Sequence, residues 1–196
     1  MAIEPPERIV GERVVIRTPR VGDGAGLVEA VTASIEHLRP WMPWIKFEPQ
    51  SVEQREIWIG ERIAARAAGT DFGYFYTDPD DDHRIIGGTG FHLRNLPHQL
   101  EIGYWTHVAM IRRGVCAEAT RLMTTVAFEQ PGISEVLICC DAANVASAAI
   151  PNKLGYTIVE QYMQEPVAPA ETGVSLRWRM TADDWSALIA ARATTV

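Results

Sequence analysis

The residues best placed to do chemistry lie where a predicted strand, beginning at Leu100, runs through a turn at Gly114 into a predicted helix. The first backbone amides of a helix have no acceptor within it and carry the positive end of its dipole, so they suit a phosphate. Arg112 and Arg113 add positive charge at the position that a diphosphate would take. On physical grounds alone, the segment is also compatible with a plain connection that carries two solvated arginines.

A second polar pair, Asn144 and Ser147, stands at the start of a later predicted helix. Residues three apart share one face of a helix, so the two side chains lie close together. The plainer interpretation makes Asn144 a helix N-cap and Ser147 a small packing residue. Taken alone, the pair favours that plainer interpretation.

The elements that must position these residues alternate between strands and helices. Paired β-branched runs around Gly11 predict an opening strand or hairpin. Asp23 is expected to cap a helix that ends near Leu38, and Ser51 with Gln54 forms a capping box. That second helix is expected to end near Ala68 and to use Ile59, Ile63 and Ala67 as its apolar side.

Three strands are predicted next, over 72–77, 84–93 and 100–108, followed by a helix over 116–129. The run 136–140 is entirely apolar and predicts a strand buried on both faces. A short helix from Asn144 ends at Gly155, two strands follow, and Thr181 with Asp184 predicts a capping box for a last helix. The order predicts one α/β domain over residues 1–196, with a mixed and mostly antiparallel twisted sheet flanked by helices.

Composition limits the classes of function. The chain has 196 residues, 47% of them hydrophobic, and a formal net charge of −7, which argues against nucleic acid and membrane surfaces as partners. No apolar run approaches the length of a membrane span, and no secretory signal is visible at the N-terminus. Three cysteines, at positions 116, 139 and 140, form neither a disulfide framework nor a zinc site. We therefore expect a cytoplasmic protein without a structural metal.

Several separated motifs, in the right order, closely resemble the RimJ/RimL branch of the GNAT N-acetyltransferases. They are 101–105 (EIGYW), the Arg-Arg-Gly turn with 117–119 (AEA), and Asn144-x-x-Ser147 ending in 153–156 (KLGY). The similarity extends to 13–17 (RVVIR), to 38–44 (LRPWMPW) and to 178–181 (WRMT) with Trp185, and so covers nearly the whole chain. It implies the GNAT fold and acetyl-CoA as the cofactor.

The resemblance also implies roles for individual residues in binding coenzyme A. The family turn has Arg or Gln first and Gly or Ala last, where this chain has Ile111 and Cys116; Gly114 matches. The strand before the turn is expected to pair with the pantetheine amides, and Asn144 to bond the pantetheine arm. The implied cofactor-binding residues are Trp105, His107, Val108, Arg112, Arg113, Gly114, Val115, Cys116, Ala117 and Asn144.

The implied reaction is direct attack of a neutral amine on the thioester carbonyl, with the oxyanion held by a backbone N–H of the strand. Glu101 is the first candidate for the base, acting through water, ahead of His107 and His92. The residue is equally compatible with a solvated carboxylate at the start of the strand. Ser147 is placed like the family residue suspected of protonating the departing thiolate. Cys116 stands at a helix N-terminus, which could lower its pKa, but a catalytic thiol is the less favoured interpretation.

The acceptor site is expected opposite the cofactor. Trp41 and Trp44, in a proline-broken loop, and Tyr104 are its predicted lining. Trp41 and Trp44 are equally compatible with core aromatics under a lid, and Trp58 is expected to pack in the core. The acceptor is a primary amine, either a protein N-terminus or a small molecule, and the enzyme a monomer or homodimer. Transfer of succinyl or another acyl group from its coenzyme A ester, and a non-catalytic protein that binds coenzyme A, remain the alternatives.

Overall fold

A computed structural model describes residues 3–94 and 97–193; the ends of the predicted 1–196 domain lie outside these ranges. The described residues form eight strands: β1 (Arg8–Val10), β2 (Val15–Arg17), β3 (Phe72–Asp78), β4 (Asp81–His92), β5 (Gln99–Thr106), β6 (Glu135–Asp141), β7 (Thr157–Met163) and β8 (Val174–Thr181). The α-helices are α1 (Gly24–Leu38), α2 (Val52–Ala67), α3 (Val115–Phe128), α4 (Val145–Leu154) and α5 (Ala182–Ala193). Short 3₁₀ helices span Pro43–Phe47 and Val108–Met110. The predicted fold class and order of elements are confirmed.

All eight strands belong to one sheet in the order β1-β2-β3-β4-β5-β6-β8-β7. Every neighbouring pair is antiparallel except β5 and β6, which run parallel. Two parallel strands need a crossover connection, and α3 provides it between β5 and β6. The sheet is therefore antiparallel on both sides of one parallel pair at its centre, where β5 leads to the start of α3.

Two hydrophobic clusters cover opposite faces of the sheet. One joins buried residues of α1 and α2, among them Leu27 and Ile59, to Phe75 of β3. The other joins α3 and α5, through residues such as Met123 and Trp185, to most of the strands. We call these the α1–α2 face and the α3–α5 face. Side chains that alternate along β5 consequently enter different environments.

The helix caps follow the sequence in part. Ser51 and Gln54 form both arms of their capping box. Thr181 forms only half of its predicted box: its hydroxyl accepts the Asp184 N–H at 3.2 Å, but the carboxylate bonds that hydroxyl instead of the Thr181 N–H. Asp23 stands at the N-cap position of α1 without a side-chain capping bond, so the prediction that it caps the helix is wrong.

Asp23 instead forms a buried ion pair with Arg17. The guanidinium donates to both carboxylate oxygens, at 2.7 and 2.8 Å, and the two side chains are 1% and 5% exposed. Arg17 also donates to the carbonyl oxygens of Asp82 and Thr18. A buried arginine needs an acceptor for each of its N–H groups. The carboxylate of Asp23 accepts from Arg17, where an unpaired charge would cost more than a lost helix cap.

Other boundaries differ for physical reasons. Ile63 is 37% exposed, so the apolar side of α2 is narrower than predicted and is centred on fully buried Ile59. β5 ends at Thr106, two residues before the predicted end, because the chain turns there into a 3₁₀ helix. In β6 the buried apolar run is 136–138, whereas Cys139 and Cys140, which lie beyond the last residue paired with β5, are half-buried. No helix among the described residues is long and apolar enough to cross a membrane.

Candidate functional site

The central feature of the site is a gap between β5 and β6. The two strands pair only from Gln99 to Glu101, opposite Glu135 to Leu137. Beyond that point β5 stays paired with β4 up to Thr106, while β6 stays paired with β8 up to its end. From Ile102 onward, one side of β5 therefore lacks a strand partner, and its backbone groups on that side are available to an extended ligand.

Alternation along β5 sends its side chains to different sides of the sheet. Trp105 packs with the cluster of the α1–α2 face, and its ring meets Trp44 edge-on with centroids 6.1 Å apart. Tyr104 packs with the cluster of the α3–α5 face. Glu101 is four residues before Trp105 and shares its side of the strand. The carboxylate and the tyrosine thus approach the gap from opposite faces.

Glu101 is largely shielded from solvent. Its side chain is 12% exposed, and Arg94 approaches one carboxylate oxygen at 3.4 Å. His92 lies directly opposite Glu101 on β4, and its ring covers the Cα of Gly103. Loss of hydration and then the charge of Arg94 lower the pKa of His92 below its ordinary 6.5, although Glu101 opposes the shift. At neutral pH the imidazole is uncharged and able to accept a proton.

On the other face, a hydroxyl pair links β5 to α4. The Tyr104 hydroxyl lies 3.0 Å from the carbonyl oxygen of Ser147, to which it donates, and 3.2 Å from Ser147 Oγ. Burial raises the pKa of Tyr104 well above its ordinary value, so the phenol stays protonated at neutral pH. Burial likewise raises the pKa of the nearby Cys140 thiol, more than the Ser147 hydroxyl lowers it. Two neutral hydroxyls therefore stand together as possible proton donors.

Asn144 fills the N-cap position of α4. Its side-chain oxygen accepts the Ser147 N–H at 3.1 Å, as the plainer interpretation of the sequence expected. The cap fixes the first turn of α4 and, with it, the orientation of Ser147 toward Tyr104. A cofactor contact from Asn144 would fall to its amide nitrogen, which remains an expectation.

The turn after β5 presents backbone amides. Gly114 is the N-cap of α3 at φ +78°, a left-handed conformation that favours glycine, and Arg112 adopts φ +61°. The first amide of α3 with an acceptor in the helix is that of Glu118, which donates to Gly114 O at 3.0 Å. The amides of residues 115–117 precede it and point out of the helix toward the turn. This arrangement suits an anion.

His107 and Val108 have local structural contacts at this turn. His107 Nδ1 accepts the N–H of Ala109 at 3.0 Å and so begins the 3₁₀ helix. Partial burial and the charge of Arg84 lower its pKa. The N–H of Val108 donates to Ser34 Oγ of α1 at 3.0 Å. As a base, His107 is badly placed, because it is at the opposite end of β5 from Glu101.

Cys116 is not an activated thiol. Burial raises its pKa to about 11, despite the lowering effect of the Thr106, Tyr76 and Thr120 hydroxyls. Burial thus outweighs the helix N-terminus that the sequence suggested could lower the pKa. The side chain is a small group between α3 and β5, which leaves the backbone of the turn accessible.

The tryptophans divide between two roles. Trp58 lies against Phe75, with ring centroids 6.4 Å apart, and belongs to the core as predicted. Trp41 and Trp44 are half-buried in the loop between α1 and α2. That loop meets the β7–β8 loop through a hydrogen bond from Ala170 N–H to Pro40 O of 2.9 Å. Together the two loops form a wall above the α1–α2 face.

The predicted site residues thus separate into three groups. Trp105 shares a face of the sheet with Trp44 and, by strand alternation, with Glu101. Tyr104 and Ser147 lie on the opposite face, with Asn144 at the start of α4, and the residues from 107 to 117 form the turn. Trp105, predicted to bind cofactor, and Tyr104, predicted to bind acceptor, thus lie on opposite faces, and both roles stay predictions. Strict alternation from Glu101 is the signal for these two faces. The pairing of Tyr104 with Ser147 was missed, since only the fold brings them together.

The chain is similar to known proteins in sequence and in fold. A family model described as an acetyltransferase (GNAT) domain matches residues 13–157. YdaF of Bacillus subtilis (strain 168), provisionally named as a ribosomal N-acetyltransferase, is 27% identical over 150 residues, covering 75% of this chain and 79% of its own.

Among solved structures, RimL, a ribosomal L7/L12 alpha-N-protein acetyltransferase in complex with coenzyme A, superposes with a TM-score of 0.77 at 16% identity. That match covers 90% of this chain and 98% of RimL. The microcin C7 self-immunity acetyltransferase MccE, in complex with acetyl-CoA and AMP, superposes with a TM-score of 0.80 at 15% identity over 90% of this chain and 97% of its own. At these identities the two structures support the fold alone.

Proposed function

Because the chain belongs to the GNAT family of acetyltransferases, we propose that it transfers an acetyl group from acetyl-CoA to a primary amine. The observation that carries the proposal is the gap that opens between β5 and β6 directly after Glu101. A carboxylate on one face and a hydroxyl pair on the other flank this gap, and the Gly114 turn, with its helix amides, follows the end of β5.

Coenzyme A fits these features in three respects. The diphosphate matches the outward amides of residues 115–117, where Gly114 at φ +78° keeps the turn free of a side chain. The pantetheine arm carries amides that the unpaired side of β5 can bond. The thioester end, when bound, supplies an activated acetyl group with a good leaving group.

We assign proton acceptance to Glu101. An amine with an ordinary pKa is largely protonated at neutral pH and must lose a proton before it attacks. Glu101 takes this proton, directly or through water, and its neighbour His92 is a neutral second acceptor. The new bond joins the amine nitrogen to the acetyl carbon, and the carbon–sulfur bond breaks.

The Tyr104–Ser147 pair acts on the other face. The departing sulfur takes a proton from one of the two hydroxyls, which are 3.2 Å apart and share their hydrogen bond. A thiolate leaves readily, so this group needs only to be a weak acid held in position. The phenol of Tyr104 orients Ser147 in either case.

Protein N-termini are the acceptor class that we favour. The net charge of −7 suits a basic partner such as a ribosomal protein, and the names of YdaF and RimL point to such acceptors. The direct test measures release of free thiol from acetyl-CoA with peptides of different N-termini and with small amines. Succinyl-CoA in parallel tests the acyl group, and Glu101→Gln is the matched inactive control. No thermal shift with excess acetyl-CoA would remove the proposal altogether.

A further inference from the structure

The turn between β1 and β2 is clasped to the side of α3. The carboxylate of Glu118, which is 10% exposed, accepts the N–H of Glu12 at 2.5 Å and the N–H of Arg13 at 3.0 Å. A Cβ on Gly11 would come within 2.5 Å of Glu118 Oε1 and 2.8 Å of Leu122. The turn and the helix therefore touch at a point that admits no side chain, and Glu118 holds the backbone of Arg13 in one place.

This contact brings the side chain of Arg13 beside the Gly114 turn. A Cβ built on Gly114 would lie 3.7 Å from Arg13 Cδ and 3.8 Å from its Nε. The side chain of Arg13 thus lies close to Gly114, the N-cap of α3, whose next three backbone amides have no acceptor within the helix. Nothing in the spacing of the sequence puts Arg13 there, since the two residues are separated by four strands and two helices.

Arg13 keeps its charge available. Its side chain is 62% exposed, and the ion pair recorded for it in the described part of the chain joins Nε to Glu118 Oε2 at the long distance of 4.0 Å. Glu118 is instead occupied by two backbone N–H groups. A planar guanidinium with free donors beside outward helix amides is a suitable partner for a phosphate.

The surroundings of Arg13 also favour an anion. Arg112 and Arg113 belong to the turn itself. Arg13 and Arg121 line an open cavity of about 410 Å³ with Glu12, Glu118 and Ile189. Arg13 of the β1–β2 turn thus adds a third arginine to Arg112 and Arg113 near the N-terminus of α3, in a chain whose overall charge is negative.

We propose that Arg13 is a phosphate-binding residue of the cofactor site, held against the Gly114 turn by Glu118. The inference rests on the proposed use of acetyl-CoA. The family places an arginine or glutamine at the position of Ile111. In this chain Arg13, from the β1–β2 turn, would supply the side-chain contact that Ile111 cannot make. The closeness to Gly114 directs the contact to the diphosphate and not to the 3′-phosphate.

The test is calorimetric titration with coenzyme A and with dephospho-coenzyme A, which lacks the 3′-phosphate. Arg13→Gln is expected to raise both dissociation constants about tenfold, the loss of one charge-assisted hydrogen bond at a partly exposed position. Arg13→Lys keeps the charge without the planar fork and should restore part of the affinity. Arg20→Gln is the matched control, because Arg20 is 51% exposed and pairs with Asp82 away from the turn.

Each outcome has a definite meaning. A loss with both ligands supports the proposal, whereas a loss with coenzyme A alone overturns it, because Arg13 would then contact the 3′-phosphate and not the diphosphate. Unchanged affinity for Arg13→Gln, with wild-type binding intact, overturns the inference and leaves the proposed function standing. Failure of the wild-type protein to bind coenzyme A overturns the proposed function instead.

Discussion

The hydroxyl of Tyr104 donates to the carbonyl oxygen of Ser147 at 3.0 Å and lies 3.2 Å from its Oγ, so β5 and α4 are joined on the side of the gap opposite Glu101. In the reaction that we propose, the two hydroxyls act as a unit, and either one alone could pass a proton to the departing sulfur. This relationship determines what single substitutions should do.

We expect Ser147→Ala and Tyr104→Phe each to lower kcat by less than about tenfold, because the remaining hydroxyl can still donate, and the double variant to lower it about 100-fold, the low end of what a positioned acid contributes. Steady-state kinetics with acetyl-CoA would measure this. Tyr156→Phe is the control: its hydroxyl bonds Thr124 at 2.7 Å in the core, so it should lower the melting temperature but not kcat. Equal kcat for the double variant and the wild type would exclude the pair from the reaction.

The pH dependence of kcat/KM should distinguish the contribution of Glu101 from that of His92. Glu101→Gln is expected to lower kcat/KM at least 100-fold, because it removes the proton acceptor. The pKa of His92 lies below 6.5, so any contribution from the neutral imidazole is present at pH 7 and is lost as the pH falls through that lowered pKa. With the same amine substrate, kcat/KM of His92→Gln should therefore fall less steeply at acid pH than kcat/KM of the wild type. His98→Gln, at an exposed histidine near Gly132, should leave the profile unchanged.

Gly114→Ala tests the turn through backbone conformation. Space exists for the methyl group, but a residue other than glycine at φ +78° costs about 1–2 kcal/mol. To relieve this strain the backbone of the turn is expected to shift, which moves its amides. The dissociation constant for coenzyme A should therefore rise about tenfold. Gly69→Ala is a matched control, since Gly69 has φ +69° and open space after α2. It should cost similar stability with unaltered affinity; parallel loss of affinity in both would contradict the role of the turn.

The ion pair of Arg17 and Asp23 should dominate the stability of the β2–α1 connection. Asp23→Ala leaves a buried guanidinium unpaired, which is expected to lower the free energy of unfolding by about 3–5 kcal/mol. Urea unfolding followed by fluorescence of the tryptophans would measure it. Glu36→Ala, which breaks the exposed pair with Arg39, should change stability by less than about 0.5 kcal/mol. A small effect at Asp23 would mean that water reaches Arg17.

Local patterns predicted local structure well. The reciprocal capping box of Ser51 and Gln54, and the left-handed cap at Gly155, depend on residues a few positions apart and are confirmed. Asp23 also has a local capping pattern, but a buried arginine from β2 competes for its carboxylate, and this competitor is visible only in the folded chain. The exposure of Ile63 has the same origin, because the neighbours of α2 decide how wide its apolar side can be.

The sequence motifs name candidate site residues, whose roles stay predictions, but not their arrangement. Glu101, Ser147 and the turn are identified by their motifs, whereas the opposite orientations of Tyr104 and Trp105 follow from strand alternation and belong to no motif. Arg13 stands only in the opening strand motif. Its place beside Gly114 depends on the clasp of Glu118, a contact across 105 residues that no short motif encodes.

The short pairing of β5 with β6 also bears on which substitutions the candidate site can tolerate. Recognition through main-chain amides asks little of side-chain identity, provided that the strand stays extended and the turn stays open. We therefore expect such a site to tolerate substitutions that would disrupt a pocket built from side chains. Ile111 and Cys116, which depart from the family pattern, are expected to be compatible with coenzyme A binding through the backbone.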